Sequence, residues 1–192
     1  MAITINGSGT ITGVSTGGLP DGIVDTDMLA TDAVSAAKLG TNSFVSYAII
    51  CHQQSTGNAG TFSNGAWRTR ELNTELADPD GIVSISSNQF TLGAGSYLIE
   101  WSSPAMRVGA HVTRLYDVTG TASVQLGQNA FCDTGSDGDQ VHSLGAARVT
   151  ITANNVYEIQ HRCNTSVSDF GLGYAHGFGS EIYTVVKIYK EA

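Results

Sequence analysis

Basic residues are scarce: Lys and Arg number nine of 192, against seventeen Asp and Glu, for a net charge of −8. They form no stripe or polybasic tail, which argues against nucleic-acid binding. The acidic balance serves solubility and repels anionic polymers. Charged residues of both signs reach only 14%, while Gly alone numbers 23. Gly, Ser, Thr and Asn replace the usual Glu and Lys, which favours strands and turns over helices. Cysteine is limited to Cys51, Cys132 and Cys163, an odd number without a CxxC pair. Reduced thiols in a protein made in a cytoplasm are therefore expected. The sequons at Asn6 and Asn164 then carry no weight. The residues after Met1 lack a charged n-region and an apolar h-region, and no run reaches membrane-spanning length, so neither a signal peptide nor membrane insertion is expected.

Signatures of catalysis are also missing. No Gly-rich stretch is followed by Lys-Ser or Lys-Thr, so no phosphate loop is present. The acids cluster in turns, with Asp78 and Asp80 around Pro79, and Glu100 and Glu158 sit on strand positions that nothing brings opposite each other. No enzymatic activity and no cofactor are expected. Asp133, Asp137 and Asp139 partly imitate a calcium loop, but Gly135 and Leu144 occupy its third and twelfth positions, which leaves only a weak calcium candidate. His161 with Cys163, and Cys51 with His52, offer zinc-type donors, yet spacing alone assembles no tetrahedral site. Inward-facing buried side chains are the expectation there.

With 41% hydrophobic residues, the chain has enough apolar material for one core plus an extended segment. Val14, Leu19, Val24, Leu29, Val34, Leu39 and Phe44 stand at intervals of five. No helix or strand keeps a five-residue period on one face. The spacing suits several identical chains side by side, each adding one residue to a shared layer. Residues 1–42 are thus expected to form a fibrous segment with Val14 to Leu39 on a trimer axis. A short capped helix from Thr31 or Asp32 through Leu39 is compatible with it.

From residue 43 to 192 the pattern changes to short alternating runs bounded by Gly, Asn and Asp, the signature of strands. Tyr97, Ile99 and Trp101 alternate with Leu98, Glu100 and Ser102. Tyr157, Ile159, His161 and Cys163 oppose Glu158, Gln160 and Arg162. Phe44–Gln54, Trp67–Leu72, Val83–Leu92, Val141–Ile151 and Ile182–Tyr189 read as further strands. Eight to ten strands without a convincing helix predict an all-β sandwich or jelly roll.

The runs GSYLIEWSSPAMRVGAHVTRLYDVTG, VYEIQHRC and EIYTVVKIYK resemble the carboxy-terminal module of tailed-phage fibre proteins. The layout is similar to the trimeric jelly roll of the complement and tumour-necrosis-factor superfamily, including Gly-x-Tyr opening a central strand. The pentad region, with DAVSAAKL, resembles segments preceding such knobs. The resemblance implies a homotrimer located on the virion as a tail or surface fibre. It implies partners among other tail or baseplate proteins through the amino-terminal segment, and a host-surface glycan or protein at the knob. A structural decoration or adaptor fibre without a receptor of its own is the alternative job for the same fold.

Within the knob, Asn164–Ser180 is unusual: Phe170, Tyr174 and Phe178 recur every four residues among glycines, with His176 nearby. Aromatic faces stack on sugars or protein surface, and glycines let the backbone approach. Counting strand directions from Phe44 places the turns at Gln53–Gly60, Pro104–Gly109, Asp133–Gln140 and Asn164–Ser180 together at the far end. Arg107, Phe170, Tyr174, His176 and Phe178 are the expected receptor contacts.

Overall fold

The computed structural model describes the backbone of Thr4–Ile5 and Ile11–Thr12, residues 44–136 and residues 138–192. The chain divides into two units, Met1–Gly40 and Thr41–Ala192. In the first, β1 (Thr4–Ile5) and β2 (Ile11–Thr12) pair antiparallel. Val14, Leu19, Val24, Leu29, Val34 and Leu39 lie outside the described residues, as does the expected short helix.

The second unit contains no helix among its described residues and folds as two antiparallel sheets. Its strands are β3 (Phe44–Gln54), β4 (Arg68–Thr69), β5 (Thr74–Ala77), β6 (Val83–Ser86), β7 (Gln89–Leu92) and β8 (Gly95–Met106). They continue with β9 (Gly109–Asp117), β10 (Ala122–Leu126), β11 (Ala130–Cys132), β12 (Gln140–Ile151), β13 (Asn155–Cys163) and β14 (Glu181–Glu191). One sheet runs β12-β8-β14-β3-β5, and the other runs β10-β9-β13-β7-β6, with β11 on β9 and β4 on β13.

Period-two alternation places the side chains as the sequence reading expects. Tyr97, Ile99 and Trp101 of β8 and Tyr157, Ile159, His161 and Cys163 of β13 all point inward and are buried. Three details differ. Val83–Leu92 is a hairpin, because Ser87 and Asn88 take φ of 53° and 65°, the paired left-handed turn that matches strand twist. Only Arg68 and Thr69 of the Trp67–Leu72 run form a strand. The Pro104–Gly109 turn shrinks to Arg107 and Val108, since β8 continues through Met106. Pro104 is tolerated there because β14 stops pairing with β8 at Ser102, so no ladder partner needs its missing N–H.

The interior is layered. Toward the Phe44 end the inward positions are apolar: Ile50, Ile99, Trp101, Leu115, Ile159 and Ile188 share one cluster. Further along the same strands they turn polar, as His52, Ser103, Thr113, Ser143, His161 and Thr184, all buried. Beyond that belt a second apolar cluster of Phe62, Ala105, Val108, Cys132 and Cys163 underlies the far loops.

The two outer faces differ in chemistry. On the five-stranded sheet, register aligns Leu144, Ser102, Val185 and Cys51 in one row and Leu98, Tyr189 and Tyr47 in another. A cavity of about 450 Å³ opens over Glu100, Ser102, Leu144, Val185 and Lys187. Tyr47 and Leu144 are exposed there. Polar side chains and arginines instead dominate the outer face of β9 and β13.

Candidate functional site

Strand register decides which loops meet. Phe44 lies beside Glu191, and Gln54 beside Glu181, so Asn164–Ser180 follows β13 at the end opposite Phe44. Met106 pairs with Gln140, which brings the Arg107 turn and Asp133–Gln140 to that same end. The tight turns at Gly93–Gly95, Thr119–Thr121 and Ala153–Asn155 lie at the Phe44 end. Backbone bonds stitch the far loops together. The Met106 N–H donates to Gly171 at 3.1 Å, Thr165 to Val108 at 3.0 Å, Ala59 to Gly173 at 2.9 Å and Gly60 to Asp169 at 2.8 Å.

The five expected contact residues form two groups. In one, the Arg107 guanidinium sits 5.4 Å above the Phe170 ring, which meets Tyr174 edge-on at 6.0 Å. The Tyr174 N–H donates to Gln140 Oε1 at 2.6 Å, fixing an exposed ring in place. Arg107 has φ of 59°, a left-handed conformation costing a long side chain about 1–2 kcal/mol. Such strain persists only where surrounding contacts fix it. Here a Cβ on Gly138 would stand 2.8 Å from Arg107 Cγ, so the Asp133–Gln140 loop closes directly on Arg107.

In the other group, His176 stacks on Phe178 with ring centres 5.4 Å apart and 22° between planes. Phe178 is 93% exposed. Its N–H donates to His176 Nδ1 at 2.8 Å, so Nε2 carries the proton that faces Glu181 Oε2 at 3.2 Å. Glu181 also accepts the N–H groups of His176 and Gly177 at 3.1 and 2.8 Å. Burial alone pushes this carboxyl up; the Gly177 and His176 N–H groups and the His176 ring outweigh it and hold it below the ordinary range.

Beneath the loops lies the polar belt, centred on Arg70. Its guanidinium is buried without a carboxylate partner among the described residues, donating from Nε to Thr184 Oγ1 at 2.8 Å and from Nη2 to the Leu172 carbonyl at 2.7 Å. Burial lowers it to about 9. His161, His111 and Cys132 form a buried chain beside it, linked at 2.9 and 3.3 Å. Burial, then Arg70, then His142 lower His111 to about 4, and burial followed by Arg70 and His111 holds His161 well below the usual imidazole range.

Of the metal candidates, Asp133 Oδ1 accepts the Gly135 N–H at 2.8 Å and Asp139 Oδ1 the Asp133 N–H at 3.0 Å, while Asp137 lies outside the described residues. Cys51 and His52 are consecutive on β3 and cannot face one point, because neighbours on a strand point to opposite faces. Sequence reasoning missed Phe131, which is 66% exposed on β11 beside the same end. An isolated Phe before Cys132 carries no periodic signal that would have found it. It missed the Arg70 belt for the same reason.

No family model and no curated protein matches this chain. Among solved structures, Eiger TNF from S. frugiperda is 12% identical over 78% of this chain and 94% of that chain, with a TM-score of 0.52. Murine APRIL at pH 5.0 is 8% identical over 76% and 98%, with a TM-score of 0.50. The PRD1 vertex protein P5 is 14% identical over 77% and 98%, with a TM-score of 0.46. At these identities the likeness is one of fold, and the first two carry it: this chain bears a jelly roll of the tumour-necrosis-factor type.

Proposed function

We propose that this chain is a non-enzymatic, homotrimeric phage virion fibre whose jelly-roll knob binds a host-surface glycan or protein through the loops opposite Phe44. The observation that carries this reading is the gathering of exposed aromatics there. Phe178 and Tyr174 project from loops cross-linked by backbone bonds, and a strained Arg107 is braced against Phe170. Large apolar rings held rigid in water cost little further entropy when a partner covers them. The sequence resemblance to phage-fibre modules supports the virion setting, with the amino-terminal segment meeting other tail or baseplate proteins.

The trimer reading rests on the outer face of the five-stranded sheet, where Leu144, Val185, Leu98, Tyr47 and Tyr189 share rows. Leu126 is exposed on the adjoining β10 edge, so the apolar side chains of the face continue onto that edge. Apolar area of this kind on one face fits burial against second and third copies. Three weak contacts at one end then combine through effective concentration.

Adsorption competition tests the adhesion reading. Purified full-length protein is expected to block adsorption of the virus that carries it, and the pair Tyr174→Ala with Phe178→Ala to lose the block. Equal inhibition by wild type and the double variant, with both trimeric, overturns it.

A further inference from the structure

We propose that the outer face of β9 and β13 holds a second binding site, centred on Arg114, that takes a carboxylate-bearing sugar. Its place is mid-strand on the seven-stranded sheet, apart from both the far loops and the apolar face of the other sheet. It does not rest on the adhesion reading above.

The Arg114 guanidinium lies 4.2 Å from the Trp67 ring centre and 4.7 Å from that of Tyr116. Its Nε and Nη2 both donate to Gln160 Oε1, the former at 2.8 Å. The Gln160 amide donates in turn to Glu158 Oε1, and Gln89 donates to Glu158 Oε2 at 3.0 Å. Glu158 is buried beneath this ladder. The guanidinium is thus immobilised by two rings and one amide, yet stands one link away from the nearest carboxylate in the ladder and makes no ion pair among the described residues. Only the side of the fork toward Nε is used. The end-on pair, Nη1–H with the second Nη2–H, meets no acceptor among the described residues.

That residual chemistry selects its ligand. Two parallel N–H donors on a planar cation match a carboxylate in bidentate geometry. Trp67 and Tyr116 are half-buried beside the fork, leaving part of each aromatic ring for a sugar ring to pack against. Thr69 sits opposite Gln160 in register and offers a hydroxyl for sugar hydroxyls. Arg162, exposed two residues further along the same face of β13, adds positive charge. The chain as a whole carries −8, which repels dense polyanions and leaves short-range recognition of one acid group.

The test is a titration of the full-length protein carrying fluorotryptophan at Trp67 and Trp101, read by fluorine NMR. Trigalacturonic acid is expected to shift the Trp67 resonance and leave the buried Trp101 resonance in place. Galactotriose, sodium acetate and an acidic hexapeptide at the same concentration are expected to shift neither. Arg114→Lys keeps the charge and loses the planar fork, and is expected to weaken binding at least tenfold, while Tyr174→Ala with Phe178→Ala leaves it unchanged. Tyr116→Leu spares the Arg114–Gln160 bonds and is expected to weaken binding as well. An unmoved Trp67 resonance at 10 mM trigalacturonate overturns the proposal. So does an equal response to galactotriose or acetate, a response to the peptide alone, or undiminished binding by Arg114→Lys.

Discussion

Nδ1 of His111 lies 2.9 Å from Nε2 of His161, and the flanking groups set the direction of the proton between them. The Cys132 thiol donates to the Ala105 carbonyl at 3.1 Å, so His111 Nε2 is the donor to sulfur at 3.3 Å. His111 Nδ1 must then accept from His161 Nε2–H. Among the described residues, His161 Nδ1 is left a buried lone pair without a partner, and Arg70 Nη1 a buried donor without one. Both rings are neutral in this arrangement, as burial beside Arg70 requires.

Acid is expected to weaken the fold through these rings. His111 titrates near 4 in the native state, and near the ordinary 6.5 when unfolded. Above pH 6.5 neither state binds the proton and stability is unaffected. Between pH 6.5 and 4 only the unfolded chain takes it up, so stability falls as pH falls, by ~3 kcal/mol for His111 alone. Nitrogen-15 NMR should show Nε2–H on both rings, with His111 titrating near 4 and His161 well below the ordinary imidazole range. A midpoint near 6.5 for His111 would refute the assignment.

Gly145 is expected to tolerate no side chain. It pairs with Trp101 across β8 and β12, and a Cβ there would stand 2.0 Å from the indole. The ring cannot retreat, because its N–H donates to Thr113 Oγ1 at 2.7 Å. Gly145→Ala should cost about 3 kcal/mol, measured as a lower urea midpoint with altered Trp101 near-ultraviolet signal. A midpoint within experimental error of wild type would show that the indole moves freely.

The sandwich was legible from alternation along single strands, since parity alone separates Tyr97, Ile99 and Trp101 from Leu98 and Glu100. Loop grouping followed from strand direction. The polar belt was not legible, because His52, Ser103, Thr113 and His161 become one layer only when the registers of five strands are known. Arg70 illustrates the limit: charged residues are seldom fully buried, and it follows a strand of only two residues, too short for a periodicity that would reveal which way it points. The contact pairs Arg107–Phe170 and His176–Phe178 likewise need coordinates, although each residue was nameable from composition.

Charging the apolar sheet face should separate subunits without unfolding them. Leu144 and Val185 flank Ser102 in one row, on the outside of strands whose inward positions make the core. Leu144→Glu with Val185→Glu leaves that core untouched and would put six charges into the proposed threefold interface. Native mass measurement should then give monomer, with near-ultraviolet circular dichroism unchanged. A double variant that remains trimeric would place the interface elsewhere.

Glu181 holds the Phe178 loop, and its removal should loosen that loop alone. The carboxylate is 1% exposed and gathers two backbone N–H groups and the His176 ring, while Phe178 hangs from the other side of that ring. Glu181→Gln keeps the shape but turns one acceptor oxygen into a donor amide, which cannot face an N–H. Amide exchange at His176, Gly177 and Phe178 should accelerate at least tenfold, while strands β8 and β14 keep their protection. Acid should act in the same direction. The native carboxyl titrates below its ordinary 4.5, so its contribution is fully present above that pH and is lost as pH falls through the native value. Exchange in wild type should therefore rise toward that of Glu181→Gln as pH falls below 4.5, after correction for intrinsic rates. Unchanged protection at the three amides in the variant would mean that the loop is held by its bonds to Asn58 and Gln140 instead, through Ala175 and Tyr174 at 2.9 and 2.6 Å.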